Sequence, residues 1–344
     1  MPEFRQVSLC FVLGLAPILA SATARGQEGP KPLRAGIIGL DTSHVVAFTK
    51  LLNGPHAGGE MAGIRVVAAY PGGSPDVASS RDRVEGFTRQ VRDEFGVEIV
   101  TSIDALLGKV DVVLLESVDG RPHLAQVEPV LKARKPVFVD KPVAGSLADA
   151  VKIYALAARY GTPCFSSSSL RFSPSLRALK GDPKVGEVEG CDVYGPCPLE
   201  EHHPDLFWYG VHGVESLFTV MGTGCVSVTR VRTEGTEMVV GTWEGGRVGT
   251  FRGIRRGKAD YGAVVFGSKG IADARGSGGY EPLLVEVCRF FRTGRPPVGA
   301  RETLEVFAFM EAADESKRRG GVPVTLESVL TRAGAQAAAS APGR

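Results

Sequence analysis

The feature that most constrains the fold is a regular alternation of short apolar runs and amphipathic stretches between residues 33 and 139. The apolar runs have the length of strands, and the stretches between them have helical periodicity. The predicted strands cover residues 33–40, 64–70, 98–100, 110–115 and 136–139, and the predicted helices cover 44–52, 80–95, 102–107 and 123–134. Such βαβ units form a doubly wound parallel α/β sheet. All strands then have their carboxyl ends at one edge, where ligands bind. We assign residues 31–145 to this domain.

A different pattern begins at Ser146, which forms a capping box with Asp149 for a helix that Gly161 ends. From residue 187 the strands are longer and alternate in polarity, which is typical of an antiparallel sheet with one covered face. The predicted strands cover residues 187–194, 225–233, 236–243, 247–255 and 261–267, and helices follow at 281–292 and 301–318. Residues 146–330 are therefore predicted to form an α+β domain with a mainly antiparallel, open sheet.

Two tripeptides and the end of the chain complete this assignment. Glu244-Gly245-Gly246 and Arg256-Gly257-Lys258 separate consecutive strands and are predicted hairpin turns. The Ala-, Gly- and Ser-rich segment 331–344 is predicted to be a disordered tail.

The composition excludes several classes of protein. Forty Lys and Arg against 38 Asp and Glu give a net charge of +2, so no electrostatic footprint for nucleic acid is present. The six cysteines contain no C-x-x-C pair, which argues against a disulfide scaffold or a zinc ribbon. Cys191 and Cys197 are close enough in sequence for a disulfide, and we leave that pairing open.

The first 26 residues resemble a secretory signal peptide. Arg5 precedes the apolar run Leu9–Leu19, and Ala22-Thr23-Ala24 has the small-x-small pattern of a cleavage site. The apolar run is too short to span a bilayer as a mature helix. The protein is therefore predicted to be exported, periplasmic or extracellular, with a mature chain that begins near Arg25. An uncleaved anchor or a misassigned start codon are the alternatives.

Five motifs, in order between about residues 33 and 328, resemble those of the Gfo/Idh/MocA oxidoreductases. They are Gly36-Ile37-Ile38-Gly39, Asp140-Lys141-Pro142, Arg171-Phe172-Ser173-Pro174, Gly210–Glu215, and Thr293–Pro297 followed by Glu311–Ser316. The resemblance implies a Rossmann domain for NAD or NADP and a C-terminal sheet that carries a small sugar or polyol substrate. It also implies homo-oligomers formed through that sheet.

Lys141 is the strongest candidate for a catalytic residue. The resemblance places it in the family's E-K-P motif, with Asp140 in place of the glutamate. A lysine at the carboxyl end of a central strand reaches the crevice, where its ammonium would bind the substrate hydroxyl and relay its proton. The alternative is a lysine that only pairs with Asp140 or with a carboxylate at the domain interface.

His212 is the second catalytic candidate. The family's D-x-G-x-H-x-x-D motif has a histidine that acts as general base. Here Trp208 replaces the first aspartate, so the usual partner four residues away is missing, and Glu215 is expected to orient the imidazole. Trp208, Tyr209, His212, Glu215 and Arg171 are the predicted substrate-binding residues. A helix-packing histidine, and aromatic residues that belong to the core, are the alternatives.

The predicted cofactor site departs from the family's G-x-G-x-x-G/A pattern. It reads Gly39-Leu40-Asp41-Thr42-Ser43-His44, with an aspartate where glycine lets the backbone approach a pyrophosphate. The second strand ends without the ribose-binding acid. The residues predicted to contact NAD or NADP are Gly36, Gly39, Asp41, Thr42, Ser43, His44, Asp119 and Lys141.

Three interpretations of Asp41 remain open: it caps the first helix, it marks a changed ligand, or it belongs to a metal site with Asp119, Asp140, His44 and His123. We assign no metal ligands from the sequence.

Two classes of function follow. The first is an NAD(P)-dependent oxidoreductase acting on a sugar or polyol hydroxyl, with Lys141 and His212 in proton transfer. The second is an exported, non-redox carbohydrate-binding protein, lyase or hydrolase. Export favours the second, because NAD(P) is scarce outside the cytoplasm.

Overall fold

The computed structural model describes Met1, residues 32–55 and residues 57–339. The predicted signal peptide thus lies, apart from Met1, outside the described residues. Six strands form the first sheet: β1 Leu33–Ile38, β2 Ile64–Tyr70, β3 Glu98–Ile99, β4 Val112–Leu115, β5 Val137–Asp140 and β6 Cys164–Ser167. All pairs are parallel, in the order β3-β2-β1-β4-β5-β6. The predicted doubly wound sheet is confirmed.

Helices cover both faces of this sheet. They are α1 Ser43–Asn53, α2 Ala78–Arg81, α3 Val84–Phe95, α4 Ile103–Leu107, α5 His123–Lys132 and α6 Leu147–Tyr160. The side chains alternate between the two faces, because successive residues of a strand point to opposite sides. Ile37 packs in one apolar cluster with α1, whereas Ile38 packs in another with α5 and α6.

Two boundaries in this half differ from the prediction. β6 pairs with β5, so the first sheet extends past residue 145 to Ser167. Ser80 lies inside the short helix α2 and caps no helix, because its hydroxyl accepts from the Ser74 amide and donates to Asp41. The predicted ends at Gly96 and Gly161 are confirmed, each glycine having a positive φ.

The second sheet contains seven strands: β7 Val188–Pro196, β8 Cys225–Arg232, β9 Thr236–Trp243, β10 Val248–Ile254, β11 Gly262–Gly267, β12 Ile271–Arg275 and β13 Val324–Thr325. Their order is β12-β11-β7-β10-β9-β8-β13, and the β7–β10 pair alone among these pairs is parallel. The Glu244–Gly246 turn joins the paired strands β9 and β10, as predicted. Arg256–Lys258 is not a hairpin turn, because β10 and β11 lie on opposite sides of β7.

Six helices accompany the second sheet: α7 Pro174–Leu179, α8 Asp205–Trp208, α9 Val211–Met221, α10 Glu281–Thr293, α11 Ala300–Arg318 and α12 Leu326–Ala339. α9 packs on the sheet at Gly213, where a Cβ would lie 2.0 Å from the Phe251 ring, so this contact requires glycine. α10 instead packs in the apolar cluster of the first sheet, with Phe290 against Phe165. No helix in the described part of the chain is long and apolar enough to cross a membrane.

Two further expectations are settled by the described residues. The predicted disordered tail is wrong through Ala339, because α12 continues and buries Val329 and Ala333; residues 340–344 lie outside the described part. Cys191 and Cys197 are both buried free thiols, so the disulfide left open from the sequence is not formed.

Candidate active site

A cavity of about 580 Å³ lies where the carboxyl edge of the first sheet faces α9. Thr42, Ser43, His44 and Lys141 line it from the sheet edge, and Trp208, Tyr209, His212, Tyr261 and Tyr280 line it from the second half of the chain. Its volume is within the range of small-molecule pockets, and its walls combine aromatic rings with a few polar groups. The structure therefore brings both predicted catalytic residues to one cavity.

Lys141 follows β5 directly and is 8% exposed. Its Nζ lies 3.7 Å from Asp140 Oδ2, which is an ion pair but longer than a hydrogen bond. The ammonium therefore keeps its hydrogen-bond donors for a ligand in the cavity. This geometry disfavours the alternative in which Lys141 only pairs with Asp140.

His212 is in the first turn of α9, and its Nδ1 lies 2.7 Å from Ser168 Oγ. Burial, and after it the charge of Lys141, lowers the pKa of His212 well below its ordinary value. The imidazole is therefore neutral at pH 7. With Nδ1 bonded to Ser168, Nε2 is the nitrogen left for a ligand. Ser168 was not predicted; the run of four serines after the β6 core is the one sequence signal for it.

The expected roles of Glu215 and Arg171 are wrong. Glu215 does not orient His212: its Oε2 accepts from Arg171 Nε at 2.7 Å and from the Ser167 hydroxyl at 3.2 Å. Arg171 also donates to Glu302, and neither Arg171 nor Glu215 lines the cavity. This buried ion pair ties α9 to the segment after β6.

Trp208 and Tyr209, the two aromatic residues before His212, line the cavity, as the substrate-binding interpretation required. α8 ends at Trp208 and a new helix begins at Val211, so Trp208 and His212 are not one turn apart on a single helix. The rings of Tyr209 and His212 have centroids 4.9 Å apart. The rings of Trp208 and His203 also have centroids 4.9 Å apart.

The two glycines of the predicted phosphate turn serve the fold. Gly39 has a φ of +88°, and a Cβ there would lie 2.4 Å from the Ser117 backbone nitrogen, so only glycine fits between β1 and the loop after β4. A Cβ on Gly36 would meet core side chains at 2.9 Å. Neither residue lines the cavity.

Asp41 is fully buried and does not cap the first helix. Its Oδ1 accepts from the Val118 amide at 2.9 Å, and its Oδ2 accepts from the Ser80 hydroxyl at 2.6 Å. α1 has Thr42 as its N-cap and no side-chain cap. Burial raises the pKa of Asp41, and these two hydrogen bonds oppose the rise. Asp41 is therefore held by α2 and by the loop after β4, and not by α1.

Asp119 is also bound by neighbouring side chains of the protein. It accepts from Ser74, at 2.7 Å, and from Arg121, and it lies 3.0 Å from His203 Nε2. Burial raises the pKa of Asp119, but these partners lower it overall. Asp119 does not line the cavity.

Whether a dinucleotide fits can be judged at the two ends of the crevice. The end beside Lys141 and His212 has room and the groups for a reacting hydroxyl. At the other end, Thr42, Ser43 and His44 line the cavity at the N-terminus of α1, where backbone N–H groups attract a phosphate. The Asp41 carboxylate is buried directly before them, and its negative charge would oppose a pyrophosphate there.

A third group of polar residues lies at the same edge. His44 Nδ1 is 2.8 Å from Asp140 Oδ2 and 3.8 Å from Glu116 Oε2. Burial raises the pKa of Asp140, but nearby His44 and Lys141 outweigh it, so the net pKa is lowered. Burial, and then the charge of Asp140, raises the pKa of Glu116 well above its ordinary value. Of the predicted five-residue metal set, His44 and Asp140 meet; His123 instead contacts the Ser117 carbonyl.

The comparisons with known proteins agree with this fold. A family model described as an oxidoreductase family with an NAD-binding Rossmann fold matches residues 59–168. No curated protein sequence matches the chain. A probable dehydrogenase from Thermotoga maritima is 21% identical, with a TM-score of 0.69 over 86% of this chain and all of that one.

Two further solved structures are similar at 15% identity over 86% of this chain. One is scyllo-inositol dehydrogenase from Lactobacillus casei with bound NAD(H) and scyllo-inositol, at a TM-score of 0.71 over 100% of that chain. The other is myo-inositol 2-dehydrogenase from Lactobacillus plantarum, at 0.70 over 99% of that chain. At these identities the likeness establishes the fold. The matched family model agrees with the resemblance of the sequence motifs to the Gfo/Idh/MocA oxidoreductases.

Proposed function

We propose that the chain is an NAD(P)-dependent oxidoreductase that acts on a hydroxyl of a small sugar or polyol. The observation that supports this most is the presence of Lys141 and His212 on one cavity, next to the aromatic side chains of Trp208 and Tyr209. Aromatic rings offer the flat, apolar surface on which the C–H face of a sugar packs. Two of the similar structures are inositol dehydrogenases, which supports a polyol as the substrate class.

The proton chemistry follows from the charges of the two residues. The Lys141 ammonium donates a hydrogen bond to the substrate oxygen and stabilises the negative charge that develops there. Neutral His212 accepts the hydroxyl proton at Nε2, and Ser168 holds its ring in place through Nδ1. A nicotinamide dinucleotide bound in the crevice would supply the hydride acceptor.

Turnover of the Lys141→Ala variant tests this proposal. Wild type and variant are assayed with NAD and NADP against a panel of inositols, hexoses and their acids. Loss of a positioned proton-transfer group lowers kcat by about 10²-fold or more. Lys152→Ala is the matched control, because Lys152 lies on α6, away from the cavity, and pairs with Asp149. Equal turnover in wild type and Lys141→Ala would overturn the assigned role.

One observation favours a second candidate, a non-redox carbohydrate-binding protein, lyase or hydrolase. Asp41 places a buried carboxylate in the phosphate turn, where glycine is usual, while Lys141 and His212 line the substrate end of the crevice. The predicted export supports the same candidate. Native mass spectrometry of freshly purified protein separates the two, because an oxidoreductase that has to use a scarce dinucleotide is expected to retain it. N-terminal sequencing of protein from the native host tests the export, for which a start near Arg25 is expected.

A further inference from the structure

The edge of the first sheet that meets the cavity carries three buried carboxyl groups. Asp41, Glu116 and Asp140 end or follow three neighbouring strands, and all three are fully buried. Lys141 offsets one of these charges. Carboxyl groups buried this close together favour a bound cation, which would compensate the cost of burying their charges.

Glu116 is the member of this group that the protein binds least closely, since its ion pair with His44 is 3.8 Å long whereas that of Asp140 is 2.8 Å long. It is 0% exposed, and neither Oε1 nor Oε2 has a hydrogen bond among the described residues. Asp41, by contrast, accepts two hydrogen bonds. Burying a carboxylate in this way is costly unless a proton or a bound cation compensates it. The side chain is directed at His44 and Asp140, with one ligand atom from each of the three within 4.8 Å of the others.

The spacing of these atoms suits a metal ion. Nδ1 of His44 lies 2.8 Å from Asp140 Oδ2 and 3.8 Å from Glu116 Oε2. Metal–ligand bonds of about 2.1 Å place neighbouring ligand atoms roughly 3.0 to 3.4 Å apart, so both distances from His44 differ from the required spacing by less than about 1 Å. We propose that His44, Glu116 and Asp140 bind one divalent transition-metal cation.

The ligand types narrow the choice of ion. An imidazole nitrogen is a poor ligand for Mg²⁺ or Ca²⁺, whereas one imidazole with two carboxylates suits Mn²⁺ or Zn²⁺. Three protein ligands leave coordination positions open. Because His44 lines the cavity beside Lys141, those positions are available to an oxygen of a substrate there.

Cation binding is measured without substrate or dinucleotide, so this proposal stands or falls independently of the proposed function. The full chain is freed of metal with a chelator, and Mn²⁺ binding is followed by electron paramagnetic resonance and Zn²⁺ binding by calorimetry. We expect one equivalent of ion per chain and a rise in Tm on binding. Glu116→Gln and Asp140→Asn, which keep the side-chain shapes, should each weaken binding by about 100-fold or more.

Asp119→Asn is the matched control, since Asp119 lies at the same sheet edge but belongs to the Ser74, Arg121 and His203 network. It should leave the Mn²⁺ affinity within about threefold of wild type, well inside the effect of losing a ligand. Failure of wild type to bind one equivalent at millimolar Mn²⁺ or Zn²⁺ would overturn the proposal and assign Glu116 as a protonated acid. Unchanged affinity in both ligand variants would also overturn it. If either variant does not fold, wild-type stoichiometry and Tm still decide.

Discussion

His212 is neutral in the crevice because the protein surrounds it with groups that disfavour its protonation. Burial is the larger effect and the charge of Lys141 comes next. A general base has to be unprotonated, so activity is lost as pH falls through the pKa of the folded enzyme. That pKa lies below the ordinary histidine value of about 6.5. We therefore expect kcat/KM to stay flat from about pH 8 to about pH 6 and to fall only at lower pH.

The contribution of the Lys141 charge to the lowered pKa of His212 can be measured separately from that of burial. Lys141→Met removes the charge and keeps the length of the side chain, so the pKa of His212 should rise towards its ordinary value. Titration of the histidine resonances by NMR in wild type and variant measures this without turnover. A wild-type acidic limb at the ordinary histidine pKa, or an unchanged His212 pKa in the variant, would contradict the account.

The positions of site residues at the end of a strand could be predicted from the sequence. The contacts of residues whose partners are far away in sequence could not. Lys141 and His212 line one cavity, as the sequence predicted, because a motif, a strand end and a helix start fix where they lie. Glu215 was misassigned because its partner, Arg171, is 44 residues away in sequence, whereas the spacing to His212 is local. Glu116 was not predicted to be a site residue, since an acid at the end of an apolar run is typical of the start of a loop.

Among the elements, Arg230 on β8 connects the second sheet to two helices. Its side chain is fully buried and donates to Glu237 on β9, Asp205 on α8 and Asp314 on α11. Replacing it with methionine keeps the volume and leaves three carboxylates without this partner. Arg230→Met should therefore lower the free energy of unfolding by about 3–5 kcal/mol.

Arg232→Met is the matched control for this prediction. Arg232 is on the same strand and pairs with Glu237 at 3.4 Å, but its side chain is 37% exposed, so the loss should be below about 1 kcal/mol. Urea unfolding of both variants and wild type measures the difference. Equal losses in the two variants would show that the Arg230 cluster does not hold these elements together.

The errors at the element scale have physical causes. β6 was missed because its Cys-Phe-Ser-Ser sequence is short and half polar, yet β5 offers it a free edge. The segment 331–339 was assigned to a tail from its small residues, but alanine is a strong helix former and Ala333 finds a buried position. The order of β10, β7 and β11 depends on long-range pairing, which turn residues alone do not reveal.

For the whole molecule, the exposed face of the second sheet carries a row of apolar side chains. Register places Ile271 beside Phe266, and Phe266 and Val248 on either side of Gly190. Ile271 is 68% exposed. We propose that a second copy of the chain covers this face, since contiguous apolar patches mark interfaces.

Ile271→Asp should shift the protein from dimer or larger oligomer to monomer, because it buries a charge in the interface. Leu199→Asp is the control, since Leu199 is exposed in the loop between β7 and α8 and lies outside the row. Light scattering coupled to size exclusion measures the mass. A monomeric wild type, or an oligomer unchanged by Ile271→Asp, would refute the interface.

The central claim is that the buried Asp41 carboxylate in the phosphate turn weakens the binding of a dinucleotide in this crevice. Trp208 lines the cavity and Trp243, the other of the two tryptophans, is buried elsewhere, so energy transfer from Trp208 reports bound NADH or NADPH. Carboxylate–phosphate repulsion on the order of 1–3 kcal/mol predicts that Asp41→Gly binds about 10- to 100-fold more tightly than wild type. Trp208→Phe should abolish the signal. Absence of binding in both wild type and Asp41→Gly, or weaker binding in the variant, would contradict the claim.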